Sequence, residues 1–194
     1  MNLLDNLKIE DRLLFGKGNS YGAEFYLKKK QGKATGWLSY TLAKSNRNFP
    51  LINNNKSFPA KYDRRHDLSL VSNYSISPRL TVSGYFNYAT GNTYTKPVSR
   101  FLVAGNIINE YGSFNGSRMP AYHRLDLSAT YKMKTKTNYK SELSFSVYNV
   151  YNRQNPVFLY FVAKGDLEKS KISIKPESIA ILPVLPSLTY RFSF

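Results

Sequence analysis

Two near-repeats stand out in the chain, Arg65-His66-Asp67-Leu68-Ser69-Leu70 and Arg124-Leu125-Asp126-Leu127-Ser128-Ala129. Each follows a long polar connection and opens a run in which alternate residues are apolar. In the first run these are Leu68, Leu70, Tyr74 and Ile76, with Ser72 interrupting. In the second they are Leu125, Leu127, Ala129, Tyr131 and Met133. The other parity carries Arg65, Asp67, Ser69 and Asn73, then Arg124, Asp126, Ser128 and Thr130. A period of two is the signature of a strand with one apolar and one polar face. Sandwich strands alternate as well, so length decides. These runs are about eleven residues long, matching the roughly 9–11 needed to cross a bilayer obliquely.

The same alternation recurs along the chain. Tyr21, Ala23, Phe25 and Leu27 oppose Gly22, Glu24, Tyr26 and Lys28; Gly36, Leu38, Tyr40 and Leu42 oppose Trp37, Ser39, Thr41 and Ala43. A return strand carries Leu80, Val82, Gly84, Phe86 and Tyr88, and a later one Leu143, Phe145 and Val147. The closing run 188–194 puts Leu188, Tyr190, Phe192 and Phe194 on one side, with Thr189, Arg191 and Ser193 on the other. Between these seven strands, short turns at 31–34, 77–79 and 134–140 alternate with long connections at 44–64, 90–121 and 153–187. The last contains Val157–Ala163 and Lys171–Lys175, short pieces that fit a hairpin; Pro176, Pro183 and Pro186 argue against a central strand there. Strict alternation of short and long connections is the habit of a membrane β-barrel. The predicted fold class is therefore all-β, an antiparallel transmembrane β-barrel segment.

Composition narrows the rest. The chain has 194 residues, with 16 Tyr, 12 Phe and 1 Trp, and 28 Lys plus Arg against 12 Asp plus Glu, for a formal charge of +16. No cysteine is present, which removes disulfide scaffolds and thiolate metal sites. The longest apolar run, Val157 to Ala163, is far short of the ~18 residues of a spanning helix. Met1 to Asn6 lacks the basic start and apolar core of a secretory leader, so an outer-membrane chain would have to receive its targeting elsewhere.

The charge excess raises nucleic acid as a partner. The lysines, however, gather at strand ends, as Lys28, Lys29, Lys30 and Lys33 and as Lys132, Lys134, Lys136 and Lys140. That placement suits a rim beside lipid headgroups better than a continuous groove, and no nucleic acid is expected. His66 and His123 lack the companions and spacing of a metal site, and no spacing specifies a nucleophile. No catalytic residue, metal or cofactor is expected, and no enzyme. Arg65, Asp67, Arg124 and Asp126 read as a lumen-facing charge ladder, on strands roughly 10 Å apart laterally. Tyr74, Tyr88, Tyr131, Tyr151, Tyr190 and Phe194 read as an interfacial aromatic girdle.

Five stretches in order carry a family resemblance: Gly18 to Arg47, Phe58 to Leu70 (FPAKYDRRHDLSL), Met119 to Leu127 (MPAYHRLDL), Tyr148 to Pro156 (YNVYNRQNP) and Pro186 to Phe194 (PSLTYRFSF). Together they resemble the end of the barrel of a TonB-dependent outer-membrane receptor, closest to Bacteroidetes-type receptors with a carboxypeptidase-regulatory-like amino-terminal domain. The resemblance implies about the last seven strands of a 22-strand barrel in the cell outer membrane. It also implies active import of a scarce nutrient such as a siderophore, cobalamin or a glycan. The partners it implies are the remainder of the barrel and the plug domain, and the TonB-ExbB-ExbD system acting through a TonB box. The outer-membrane assembly machinery, lipid or lipopolysaccharide, and a surface lipoprotein are further implied partners. Tyr190, Phe192 and Phe194 look like the terminal signal read by the assembly machinery. Plug and box are not found in these residues, so the chain alone is expected to be a fragment without transport activity. The alternative reading is a soluble β-sandwich carbohydrate-binding or adhesion module.

Overall fold

A computed structural model describes residues 13–103, 106–133, 139–166 and 171–193. In chain order the strands are β1 (Lys17–Lys29), β2 (Ala34–Asn48), β3 (Phe58–Pro59), β4 (His66–Ser75), β5 (Leu80–Ala89), β6 (Thr93–Tyr94) and β7 (Pro97–Val103). They continue with β8 (Asn106–Tyr111), β9 (Ser117–Arg118), β10 (Tyr122–Lys132), β11 (Lys140–Tyr148), β12 (Phe158–Asp166), β13 (Lys171–Ile179) and β14 (Leu185–Ser193). Seven of them, β1-β2-β4-β5-β10-β11-β14, lie side by side in one antiparallel sheet, with the short β3 appended to β2. Each wall strand pairs with the next wall strand in the chain, which short turns and returning loops make the cheapest topology. The sheet is open: β1 and β14 are its edges among the described residues. The all-β, antiparallel architecture expected from the alternation is what the chain adopts.

The register fixes which side chains share a face. Along one row Leu27 opposes Leu38, Leu38 opposes Leu70, Leu70 opposes Phe86, and Phe86 opposes Leu125. The next row reads Phe25, Tyr40, Leu68, Tyr88 and His123. Farther along, Tyr131 opposes Leu143 and Leu143 opposes Tyr190. The apolar parity of every wall strand therefore merges into one continuous face. A one-residue slip at any ladder would break it.

Among the described residues that face has no layer against it. Phe25 is 55%, Leu27 61%, Leu188 69% and Phe192 62% exposed, while the buried Phe58, Ala60, Asp63, Ala89, Thr93 and Asn149 lie at the end of the sheet that bears the long connections. A sandwich would bury one face of such a sheet against a second. Among the described residues the sheet is covered on neither side by another sheet, and the close packing is confined to the end that bears the loops.

Those loops are built. The 44–64 connection holds a turn at Asn53–Asn55, where all three residues have positive φ, and β3 returns along β2. The 90–121 connection contains the β6–β9 ladder and the β7–β8 hairpin, and the 153–187 connection contains the β12–β13 hairpin over Phe158–Asp166 and Lys171–Ile179. Pro176 sits in that two-stranded hairpin opposite Phe161, an isolated ribbon outside the wall where its missing N–H is tolerated. The last wall strand starts at Leu185, three residues before the expected 188. Pro186 is accommodated at the very start of β14, where a proline disturbs the ladder least. Phe194 lies outside the described residues.

Candidate functional site: the polar face and its loop crown

On the polar parity, β10 presents Tyr122, Arg124 and Asp126 to the same side. Arg124 and Asp126 form an ion pair at 3.0 Å, two residues apart on one strand, with side chains 20% and 23% exposed. The guanidinium also donates to the hydroxyls of Tyr122 (3.0 Å) and Tyr148 (2.7 Å). It lies 4.1 Å from the Tyr148 ring centroid and 5.7 Å from that of Tyr85. The register explains the gathering, since Tyr85 is directly opposite Asp126 and Tyr148 extends β11 past Val147, the partner of Leu127. A planar cation held by a carboxylate and aromatic rings has lost most of its rotamer freedom. It is a fixed charge on the wall.

The expected four-residue ladder separates into different arrangements. Asp67 faces the polar side, but its ion-pair partner is Arg64, 3.8 Å away with both side chains over 40% exposed. Arg65 precedes the strand, which begins at His66, and its carbonyl accepts the Ala43 N–H. Asp67 shares a cross-strand row with Ala89 and Tyr122, whereas Arg124 shares one with Asn87 and Ser69. The strands β4 and β10 are separated by β5, as expected. The row offset keeps the two Arg-X-Asp repeats from forming one interlocked network.

The repeats use their histidines alike. His66 Nδ1 is 2.8 Å from the Tyr40 hydroxyl and His123 Nδ1 is 2.8 Å from the Tyr151 hydroxyl. Both histidines lie on the apolar parity at the end near the long connections, each engaged with its own tyrosine. Of the tyrosines expected to form a girdle, Tyr74, Tyr131 and Tyr190 lie on the same parity toward the short turns, at 50%, 45% and 57% exposure. Tyr88 and Tyr151 lie toward the long connections.

Two welds hold the loops to the wall. In the first, the buried Asp63 carboxylate accepts the Ser45 N–H at 2.6 Å and pairs with Arg118. Arg118 also donates to the carbonyls of Asp63 and Gly91. Thr93 Oγ1 donates to the Ala60 carbonyl at 2.8 Å, and Asn115 Nδ2 to that of Pro59 at 3.0 Å. Phe58 stacks on Phe49 and meets Phe114 edge-on. The motif FPAKYD thus joins the 44–64 connection to the 90–121 connection through Thr93, Phe114, Asn115 and Arg118.

The second weld is the Tyr148-Asn149-Val150-Tyr151-Asn152 segment. Asn149 and Asn152 adopt positive φ, 54° and 52°, which Asn tolerates better than most residues. The Asn149 N–H donates to Asp126 Oδ1 (2.9 Å), and its side-chain amide donates to the Arg153 and Leu182 carbonyls while accepting the Arg153 N–H. Asn152 Oδ1 accepts the Val184 N–H, and Asn155 bonds the His123 backbone in both directions. Asp126 therefore serves the wall cation and the loop base at once. Sequence reasoning named Asp126 but missed Asn149, Asp63 and Arg118; the two asparagines flanking Val150-Tyr151, a residue type that tolerates positive φ, were the available signal for the first, and the other two had none.

A family model described as "TonB dependent receptor-like, beta-barrel" matches residues 9–150, which include six of the seven wall strands. The seventh, β14, lies beyond the match and is joined to it by nine paired positions, Lys140↔Ser193 through Tyr148↔Leu185. Neither a search of curated proteins nor one of solved structures found a match. With most of the chain matched, and with a seven-stranded antiparallel wall of membrane-spanning length, the chain belongs to the TonB-dependent receptor β-barrel family, whose members are transporters and receptors.

Proposed function

We propose that this chain forms the carboxy-terminal part of the barrel wall of an outer-membrane TonB-dependent transporter that imports a scarce nutrient such as a siderophore, cobalamin or a glycan. The observation that carries this reading is the uncovered apolar face running across all seven strands. In water, a contiguous apolar surface of that extent would be a serious liability. Against lipid it is the requirement. The polar parity, with Arg124, Asp126, Asp67, Ser69 and Asn87, then faces the lumen, and the two welded connections 44–64 and 90–121 face outward from the cell.

An open sheet in lipid leaves edge N–H and C=O groups unsatisfied at several kcal/mol each. The edges of β1 and β14 therefore call for further wall strands and a plug, the latter packed against the lumen face. Energy comes from the TonB-ExbB-ExbD system through elements outside the described residues, and insertion is the work of the assembly machinery reading Tyr190, Phe192 and Phe194. The chain by itself carries no transport and no enzymatic activity. A Bacteroidetes-type receptor with a carboxypeptidase-regulatory-like domain fits the motif set FPAKYD, MPAYHRLDL and YNVYN.

The test is nutrient uptake by cells with and without the intact receptor, against a panel of ferric siderophores, cobalamin and oligosaccharides. Uptake of one class that needs the receptor and collapses with a protonophore supports the proposal. Uptake that survives the protonophore refutes energised transport.

A further inference from the structure

At the end of the sheet opposite the loop welds, the short turns lie side by side. The Ser75 N–H donates to the Lys33 carbonyl (2.8 Å) and the Lys132 N–H to the Arg79 carbonyl (2.8 Å). Lys132 pairs across the ladder with Glu142, and Glu142 with Arg191. These contacts link the turn 30–33, the turn 76–79 and the ends of β10, β11 and β14 into one rim. Lys28, Lys29, Lys30, Lys33, Arg79, Lys132, Lys140 and Arg191 all lie on it and all are exposed. Among the described residues the rim has one carboxylate, Glu142, and Arg191 already takes it at 3.0 Å. Glu24, Asp67 and Asp126 sit in the other half of the wall and Asp63 in the loop weld, so among the described residues the cations of this rim are not balanced locally.

The order of chemistries along the outer face is informative. On β1, Phe25 and Leu27 are followed on the same parity by Lys29; on β4, Tyr74 is followed by the turn bearing Arg79. On β10 and β14, Tyr131 and Tyr190 lie in one row of that face, one position short of Lys132 and Arg191, which take the opposite parity at the rim. Apolar, then aromatic, then cationic is the sequence of a bilayer from hydrocarbon through interface to phosphate. Lys29 extends the lipid-facing parity itself, so its stem covers apolar surface while its ammonium reaches the headgroups.

We infer that this rim is a docking surface for anionic phospholipid headgroups, selecting phosphatidylglycerol-type lipids from the leaflet on the short-turn side. The inference rests on the membrane reading given above. Clustered lysines with an arginine at phosphate depth favour an anionic over a zwitterionic headgroup, because both offer a phosphate but only the former leaves it unneutralised.

The experiment uses the intact receptor reconstituted in phosphatidylcholine vesicles doped with spin-labelled phosphatidylglycerol or spin-labelled phosphatidylcholine. The motionally restricted fraction gives the relative association of each with the protein surface. Phosphatidylglycerol should associate about threefold or more strongly at low salt, the preference fading at about 1 M salt, where screening acts within roughly 3 Å. A variant carrying Lys29→Gln, Lys30→Gln, Lys33→Gln and Arg79→Gln should lose it while inserting normally. Arg79→Gln leaves the turn intact, since Ser77 Oγ accepts the backbone N–H of residue 79. Equal association of the two lipids, as an acidic protein partner on this rim would leave, overturns the inference; so does a preference that the variant retains. Failure of the receptor to give a heat-modifiable, bilayer-inserted form would instead overturn the membrane reading as well.

Discussion

Neighbouring residues on β4 give the sharpest test of the wall. Leu70 lies in the row Leu27–Leu38–Leu70–Phe86–Leu125 on the apolar face; Val71 points to the polar face between Trp37 and Tyr85. Arginine placed at Leu70 faces hydrocarbon near the middle of a ten-residue strand, at a cost of about 2–4 kcal/mol. That is a shift of about thirty-fold to several hundred-fold in the folded-to-unfolded ratio. Arginine at Val71 meets the lumen and two aromatic rings, so its cost should stay within about 1 kcal/mol. The assay is reversible unfolding of the receptor from vesicles in denaturant, with band shift on unheated gels as the folded signal. Equal costs at the two positions, or a larger cost at Val71, would refute the assignment of faces.

The second weld predicts a graded series. Asn149→Ala removes three side-chain hydrogen bonds and puts a β-carbon without a polar group at φ 54°, for roughly 3–4 kcal/mol. Asn149→Gly should recover about 1 kcal/mol of that by relieving the backbone, as read in the same unfolding assay. Asp63→Ala strips the partner from Arg118 and from the Ser45 N–H, for roughly 2–3 kcal/mol; limited proteolysis should then cut the 90–121 connection faster while far-ultraviolet dichroism of the wall is unchanged. Gly91→Ala drives a methyl into the Met119 carbonyl and should loosen the same connection. Removing Phe194 from the receptor should lower its heat-modifiable fraction in cells, and an unchanged fraction would count against its role in assembly.

The wall was legible in the sequence because its determinants are local. Alternation in each strand and the length of each connection depend on neighbours in the chain, and they give the seven strands in order. The crown was not, because its bonds are long-range: Asp63 and Arg118 are fifty-five positions apart, and nothing in either local sequence announces the other. Arg65 was placed with Asp67 because parity extrapolates a strand backward, whereas the chain bends at residue 65 and hands the aspartate to Arg64. The start of β14 was misjudged for a different reason. Proline was read as a strand breaker, and at the start of a strand it is not. Asp126 was recognised as a wall charge, but its second role needs the fold, since only the β10–β11 register brings the Asn149 N–H to it.

The central claim is that the merged apolar face meets lipid. With no native cysteine in the chain, single cysteines can be placed at Leu38, Leu70, Phe86 and Leu125 on one parity and at Ser39, Ser69, Asn87 and Arg124 on the other, then spin-labelled in the reconstituted receptor. Collisions with oxygen, which concentrates in hydrocarbon, and with a polar nickel chelate, which stays in water, report the surroundings of each label. Lipid contact on this face gives oxygen-accessible, nickel-protected labels at the first four positions and the reverse preference at the second four, alternating residue by residue. Labels at Leu38, Leu70, Phe86 and Leu125 that are shielded from both reagents, as in the core of a sandwich, or open to the nickel chelate would contradict it.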